Sequence, residues 1–284
     1  MILGIHVSGV SNISEAPALA RGLGCNTMQI FARSPQRWRK DLVDKFESGL
    51  FVKEVRAAKI DPVFIHISYL INLASPDPRL YRASIDAYIE DILEAEVLEA
   101  DYIVTHMGSH KETSEAAGIE RLTRALNRII DKTKKSKVGI LLENTSGSGS
   151  WLGYKFEHHK EILKGIKDKR RVGLCLDTAH AFLAGYDIAC KDGLDALVEE
   201  IDDCAGLELL KLIHLNDAKG KLGSKADRHD HIGKGAIGME GMKRIVNHPK
   251  LKSVPLILET PKEREGDDAK NLNTVRKLAG LKTI

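Results

Sequence analysis

The chain predicts an α/β fold, a single (β/α)8 TIM barrel, on three observations. Eight short apolar runs recur along 284 residues. Segments of helical period and composition separate them, with no composition break and no Pro- or Ser-rich linker. Six of the eight runs end at or beside a His, Asp or Glu read as a candidate ligand, and a seventh carries His6 beside its end. Strands alternating with helices argue a parallel sheet with right-handed crossovers. Eight such units favour closure over an open doubly wound sheet, so one domain over residues 1–284 is expected, with its chemistry at the carboxyl ends of the strands.

The runs, in order, are ILGIHV (2–7), NTMQIF (26–31), PVFIHI (62–67), DYIVTH (101–106), VGILLE (138–143), VGLCLD (172–177), LKLIHL (210–215) and VPLILE (254–259). Each has the length and apolar content of a strand buried on both faces. The clearest helix is 82–100, where Ile85, Tyr88, Ile89, Ile92, Leu93 and Leu98 form an apolar stripe opposite acids. The segment 118–135 repeats the pattern with a basic polar face, and 194–206, 239–247 and 271–280 follow.

Four connections after strand ends are long: 32–44, 68–81, 144–159 and 217–238. They are rich in Gly, basic and aromatic residues, including Trp38 and Tyr69. Gly permits close backbone approach to a ligand, and basic and aromatic side chains together suit a phosphate-binding, stacking rim. The net charge of +3 permits an anionic partner without demanding one. Cys25, Cys175, Cys190 and Cys204 form no C-x-x-C pair and read as small buried hydrophobes of a reducing compartment. MILGIHVSGV lacks the features of a signal peptide and no stretch is long and apolar enough for a membrane span, so a soluble, cytoplasmic protein is expected.

The polar strand ends are His66, His106, Glu143, Asp177, His214 and Glu259. Carboxylates converging in a barrel mouth repel one another and are costly to bury without partners; divalent cations remove that penalty. Mixed imidazole and carboxylate donors suit Zn, Mn or Fe better than Mg or Ca. Six ligands are too many for one tetrahedral ion and, with a bridging carboxylate, suit two ions ~3.5–4 Å apart. His180 lies three residues after Asp177, and Asp227 and His229 alternate in ADRHDH, giving three more donors for a further ion. His231 continues that alternation and competes with His229. His110 is placed to support a ligand, His6 to support a ligand, touch substrate or serve as a core histidine, whereas His158, His159 and His248 read as surface residues.

At these residues the chain resembles the endonuclease IV family of zinc-dependent apurinic/apyrimidinic endonucleases. The matching stretches are HISYLINL (66–73), THMGSH (105–110), LLENTSGSGSWLG (141–153), GLCLDTAHAFLAGYD (173–187), 213–238, PLILETP (255–261) and FARSPQRW (31–38). The resemblance implies a first zinc on His66, His106 and Glu143, a second on Glu143, Asp177, His214 and Glu259, and a third on His180, Asp227 and His229. Mn2+ or Fe2+ is an alternative at one site. It also implies hydrolysis of the phosphodiester 5′ to an abasic site in double-stranded DNA, leaving a 3′-hydroxyl and a 5′-deoxyribose phosphate, with related 3′-end cleaning. Glu143 would orient the attacking hydroxide. Gln36, Arg37, Tyr69, Lys219 and Arg228 would contact DNA, and His6, His110 and His231 would steady the ligands. The protein would act as a monomer. Ile67 and Met107 stand where the family usually has an acid and a Pro, and Gln36 where it tends to have Arg. Metal-dependent sugar isomerases and epimerases share the barrel and the strand-end ligands. The third donor set and the basic loops argue against that alternative, and an intact set of nine donors argues against a non-catalytic DNA binder.

Overall fold

The computed structural model describes residues 1–31, 38 and 44–284. The barrel strands are β1 (Leu3–His6), β2 (Thr27–Phe31), β3 (Val63–His66), β4 (Tyr102–His106), β5 (Gly139–Glu143), β6 (Val172–Asp177), β7 (Leu210–His214) and β10 (Leu256–Leu258). They are all parallel and close in the order β1-β10-β7-β6-β5-β4-β3-β2. All eight sequence runs are strands, seven of them trimmed by a residue or two at one or both ends. Two very short strands, β8 (Asp217–Ala218) and β9 (His229–Asp230), add an antiparallel ribbon within the loop after β7.

The alternation of side chains along a strand explains where the polar ends go. Phe64, Val104, Leu141, Cys175, Leu212 and Ile257 form a separate apolar cluster apart from the main core. Each precedes a polar strand-end residue by two positions, so His66, His106, Glu143, Asp177, His214 and Glu259 share its inward face. Register then makes neighbours of the donors: His106 pairs with Glu143, and Asp177 with His214.

The outer layer is α1 (Ala16–Gly22), α2 (Lys45–Ala58), α3 (Pro78–Val97), α4 (Glu115–Lys132), α5 (Phe156–Gly165), α6 (Thr178–Ala184), α7 (Lys191–Ala205), α8 (Gly238–Asn247) and α9 (Asp267–Leu278). The α3 helix starts four residues before the apolar stripe suggests, because Asp77 accepts the Arg79 N–H at 2.8 Å and Pro78 occupies the first position. Ser114 caps α4 in the same way, again ahead of the stripe. The stripe of α4 (Leu122, Ala125, Leu126, Ile129, Ile130) is buried. No helix among the described residues is long and apolar enough to cross a membrane.

Two expectations fail against the structure. His158 and His159 are buried, not on the surface, and His248 is half-buried and reaches Asp195 at 3.2 Å. The helical period puts Phe156, His159, Ile162 and Leu163 on the inner side of α5, and His159 stacks on Phe156 with ring centroids 4.8 Å apart. His158 accepts the Gly153 N–H and meets Glu115 at 3.2 Å, which satisfies both ring nitrogens. Of the cysteines, Cys25 and Cys175 are buried as expected, but Cys190 is exposed at the start of α7 and Cys204 is half-buried.

Candidate metal centre

Among the described residues, four groups of donors have ligand atoms within 4.8 Å of one another: His66, His106 and Glu143; Glu143, Asp177, His214 and Glu259; Asp177, His180 and His229; and Glu143, Cys175 and His214. Glu143, fully buried, joins the first two. Its Oε2 lies 3.1 Å from His66 Nε2 and 3.3 Å from His106 Nε2, while its Oε1 lies 2.9 Å from His214 Nδ1. One oxygen thus faces each set. Glu259 Oε2 closes the second set at 3.3 Å from His214 Nδ1.

Asp177 joins the second set to the third. Its Oδ1 caps α6 by accepting the His180 N–H at 2.7 Å, which fixes His180 over the mouth. Its Oδ2 lies 3.5 Å from His229 Nε2. Asp227 reaches this group from the loop, with Oδ1 3.0 Å from His180 Nε2 and 3.9 Å from His229 Nε2. His229 therefore takes the position for which His231 competed. His231 accepts instead from Asn271 at 3.0 Å.

The donor chemistry fits cations. His66, His180 and His229 each turn Nδ1 to a backbone carbonyl, of Ile67 (2.8 Å), Asn144 (2.9 Å) and Glu259 (3.0 Å) respectively. A carbonyl only accepts, so Nδ1 keeps a proton and Nε2 is the nitrogen that would offer a lone pair once a cation displaces any proton it holds. His229 Nε2 is buried with no hydrogen-bond partner among the described residues. Because the Ile67 carbonyl orients His66, its apolar side chain leaves that ligand in place.

The electrostatics are those of a tightly coupled cluster. Burial opposes the charge on Glu143, but His106, His214 and His66 outweigh it and hold the carboxyl well below its usual range. Burial likewise opposes protonation of His180, yet Asp177, Asp227 and Glu143 push it up to about 10. For His106 burial prevails and its affinity for a proton falls.

Neutral side chains hold this arrangement, and the strand-end pattern alone does not reveal them. Gln29, Asn144, Thr178 and Asn216 are all buried. Asn144 accepts the Asp177 N–H at 2.7 Å and donates to its carbonyl at 3.0 Å. Asn216 donates to Asp177 Oδ2 at 2.7 Å and accepts the Glu259 N–H at 2.8 Å. Gln29 contacts both His214 and Glu259. Asp217, next to Asn216, accepts the N–H groups of Ala218, Gly235, Ile237 and Gly238 and so folds the loop that carries Asp227 and His229.

A cavity of about 350 Å3 opens over the cluster, lined by His66, His106, His180, Asp227, His229 and Glu259 among others. Tyr69 stands at its rim, 61% exposed, with its ring 5.7 Å from Phe31 and 6.3 Å from His66. Lys219 and Arg228 are exposed and face each other across the β8–β9 ribbon, joined by a backbone hydrogen bond of 3.0 Å. His6 lies 3.3 Å from Glu259, and His110 bonds the Thr113 carbonyl ahead of α4. Gln36 and Arg37 lie outside the described residues.

Comparison with known proteins gives a consistent result. Residues 17–282 match the family model described as "Xylose isomerase-like TIM barrel". The chain is 42% identical over 280 residues to "Probable endonuclease 4" of Methanoculleus marisnigri, covering 99% of each. It is 40% identical over 278 residues to the protein of that name from Halothermothrix orenii, covering 98% of this chain and all of the other. The crystal structure of endonuclease IV from Thermus thermophilus superposes with a TM-score of 0.87 at 33% identity, covering 99% of both chains. A D-tagatose 3-epimerase-like protein shares the barrel fold alone, with a TM-score of 0.77 at 18% identity, covering 99% of this chain and 97% of the other. The chain belongs to the endonuclease IV family.

Proposed function

We propose that this chain, as a member of the endonuclease IV family, hydrolyses the phosphodiester 5′ to an abasic site in duplex DNA. The products are a 3′-hydroxyl and a 5′-deoxyribose phosphate, and the same site cleans damaged 3′ ends. The activity is assigned to one domain over residues 1–284, working as a monomer. His66, His106, Glu143, Asp177, His180, His214, Asp227, His229 and Glu259 are assigned to three zinc ions, with Mn2+ or Fe2+ as an alternative at one. The observation that carries the reading is the bridging position of Glu143, one oxygen toward each of two histidine groups. When bound, such ions supply Lewis-acid activation of water and offset the charge of the phosphate.

The chain's own residues supply position and exclusion. Burial of Glu143 and Asp177 keeps their oxygens out of water, so they hold fixed directions. The donors lie beneath a cavity that can take a sugar-phosphate, and a nucleotide turned out of the duplex would reach them. A missing base makes that turning easy. Tyr69 presents an aromatic ring at the rim for stacking, and Lys219 and Arg228 offer cations to flanking phosphates. The Gln36–Arg37 segment is assigned to the gap left by the lost base.

The test is a labelled duplex with one central abasic site. Incision 5′ to the site is expected, and Glu143→Gln or Glu259→Gln should abolish it while binding of the duplex persists. A metal-loaded wild-type chain that leaves the duplex intact would overturn the reading.

A further inference from the structure

The carboxamide of Gln29 is buried and meets three partners at once. Its Nε2 lies 2.6 Å from Glu259 Oε1 and 2.8 Å from His6 Nδ1. Its Oε1 lies 2.8 Å from His214 Nε2. A carboxylate only accepts, whereas an amide has two N–H donors at one end and a carbonyl at the other. The contact with Glu259 therefore fixes which end of the amide faces which neighbour. The second N–H meets His6 Nδ1 at 2.8 Å, nearer than the 3.3 Å from that nitrogen to Glu259 Oε1, so Nδ1 accepts from the amide rather than donating to the carboxylate. The carbonyl meets His214 Nε2, which must donate.

We infer that Gln29 is a positioning residue that sets the tautomers of His214 and His6, giving His214 an Nδ1 lone pair for a cation and leaving His6 a free Nε2–H for an oxygen of the substrate. The part concerning His214 rests on the proposed metal centre, and the substrate contact of His6 on the proposed function; the tautomer of His6 rests on neither.

His214 stands apart from the histidines held by backbone carbonyls. Those turn Nδ1 away and offer Nε2. His214 is reversed: Nδ1 faces Glu143 and Glu259, and Nε2 faces away. Its outward nitrogen meets a side chain, so the tautomer depends on one replaceable residue. Ligand histidines held this way lose ~10–100-fold in metal affinity when the partner is removed. On the other side of Gln29, His6 Nε2 is buried and bonds none of the described residues. The ring packs on Phe31, with centroids 4.4 Å apart, and lines the same cavity as the ligands. A donor left over at a cavity wall is suited to a phosphate or sugar oxygen brought in by the substrate.

The experiment is two-bond 1H–15N correlation on zinc-loaded protein with 15N-labelled histidine, resonances being assigned with His6→Phe. Wild type should show both His6 and His214 protonated at Nε2. Gln29→Met should scramble the His6 tautomer and weaken zinc binding ~10–100-fold in competition with a chelating dye. Gln29→Glu offers acceptors only, so His6 should move its proton to Nδ1. A wild-type His6 protonated at Nδ1 would overturn the inference even if no Gln29 variant folds. So would a folded Gln29→Met variant with unchanged tautomers and unchanged zinc affinity. If zinc fails to bind wild type at all, the metal reading falls while the His6 tautomer still reports on Gln29.

Discussion

Replacing Asn216 by Ala tests how far neutral side chains hold the centre. Asn216 is fully buried, and its amide joins Asp177 Oδ2 (2.7 Å) to the Glu259 N–H (2.8 Å). Its backbone contacts with Thr178 Oγ1 survive the substitution. The loss strands the part-buried Glu259 N–H, costing ~1–3 kcal/mol, and removes a hydrogen bond to a charged acceptor, worth ~1.5–3 kcal/mol. Both losses come from one amide, and water can enter the space it leaves, so about 3 kcal/mol is expected rather than the upper sum. With an unfolding entropy of ~2.1 cal/mol/K per residue, a chain of 284 residues shifts by ~1.7 °C per kcal/mol, so Tm should fall by about 5 °C. The assay is thermal unfolding with excess chelator, which removes any contribution from metal binding. A second reading, zinc competition, should show a ~10–100-fold loss, because Asp177 is no longer held in place. An Asn216→Ala variant that melts with wild type in chelator would refute the reasoning.

Two further outcomes follow from buried histidines. Burial and the neighbouring His158 lower His159 to about 3, so below the unfolded value of 6.5 the unfolded chain takes up a proton that the folded one refuses. Stability must then fall as pH drops from 6.5 toward 3, by at most ~1.4 kcal/mol per pH unit from this group. His159→Phe keeps the stack on Phe156 and should gain about 2 kcal/mol on wild type between pH 7 and pH 5 in urea midpoints; parallel pH profiles would contradict this. At the metal centre, burial opposes protonation of His180 and His214, but their neighbours prevail. Asp177, Asp227 and Glu143 hold His180 protonated up to about 10, and Cys175, Glu259 and Glu143 raise His214 well above its ordinary value. Burial opposes protonation of His66 too, but Glu143 and Glu259 raise it. Reloading chelator-stripped protein with zinc at pH 7.5 should therefore release protons from these three histidines, read by calorimetry in buffers of different ionisation enthalpy; binding without proton release would count against these assignments.

The barrel was legible because parallel strands buried on both faces read as unbroken apolar runs, and a polar residue ending such a run has nowhere to go but the mouth. Six donors could be found that way, and His180, Asp227 and His229 followed from local spacing. Gln29 escaped because its run continues to Phe31, so the polar residue looks like an interruption rather than an end. Counting inward positions from Thr27 would have found it, since Gln29 stands on the same face two residues on. Asn144, Asn216 and Asp217 escaped because bonds from a side chain to a backbone N–H or carbonyl leave no periodic trace. Their one signal is adjacency, each lying within three residues of a strand-end donor. The burial of His158 and His159 was hidden by their polar neighbours on α5, although the helical period aligned His159 with Phe156. The Gln36–Arg37 reading rests on sequence alone, since both lie outside the described residues.

Central to the proposed function is the assignment of nine side chains to one centre for three cations, with His229 serving only the third. Zinc per chain, measured by plasma mass spectrometry on folded wild type and on His229→Asn, tests it most directly. About three ions in wild type and about two in the variant, with incision of the abasic duplex lost in the variant, is the predicted result. One ion per chain in wild type, or an unchanged count in His229→Asn, would contradict it.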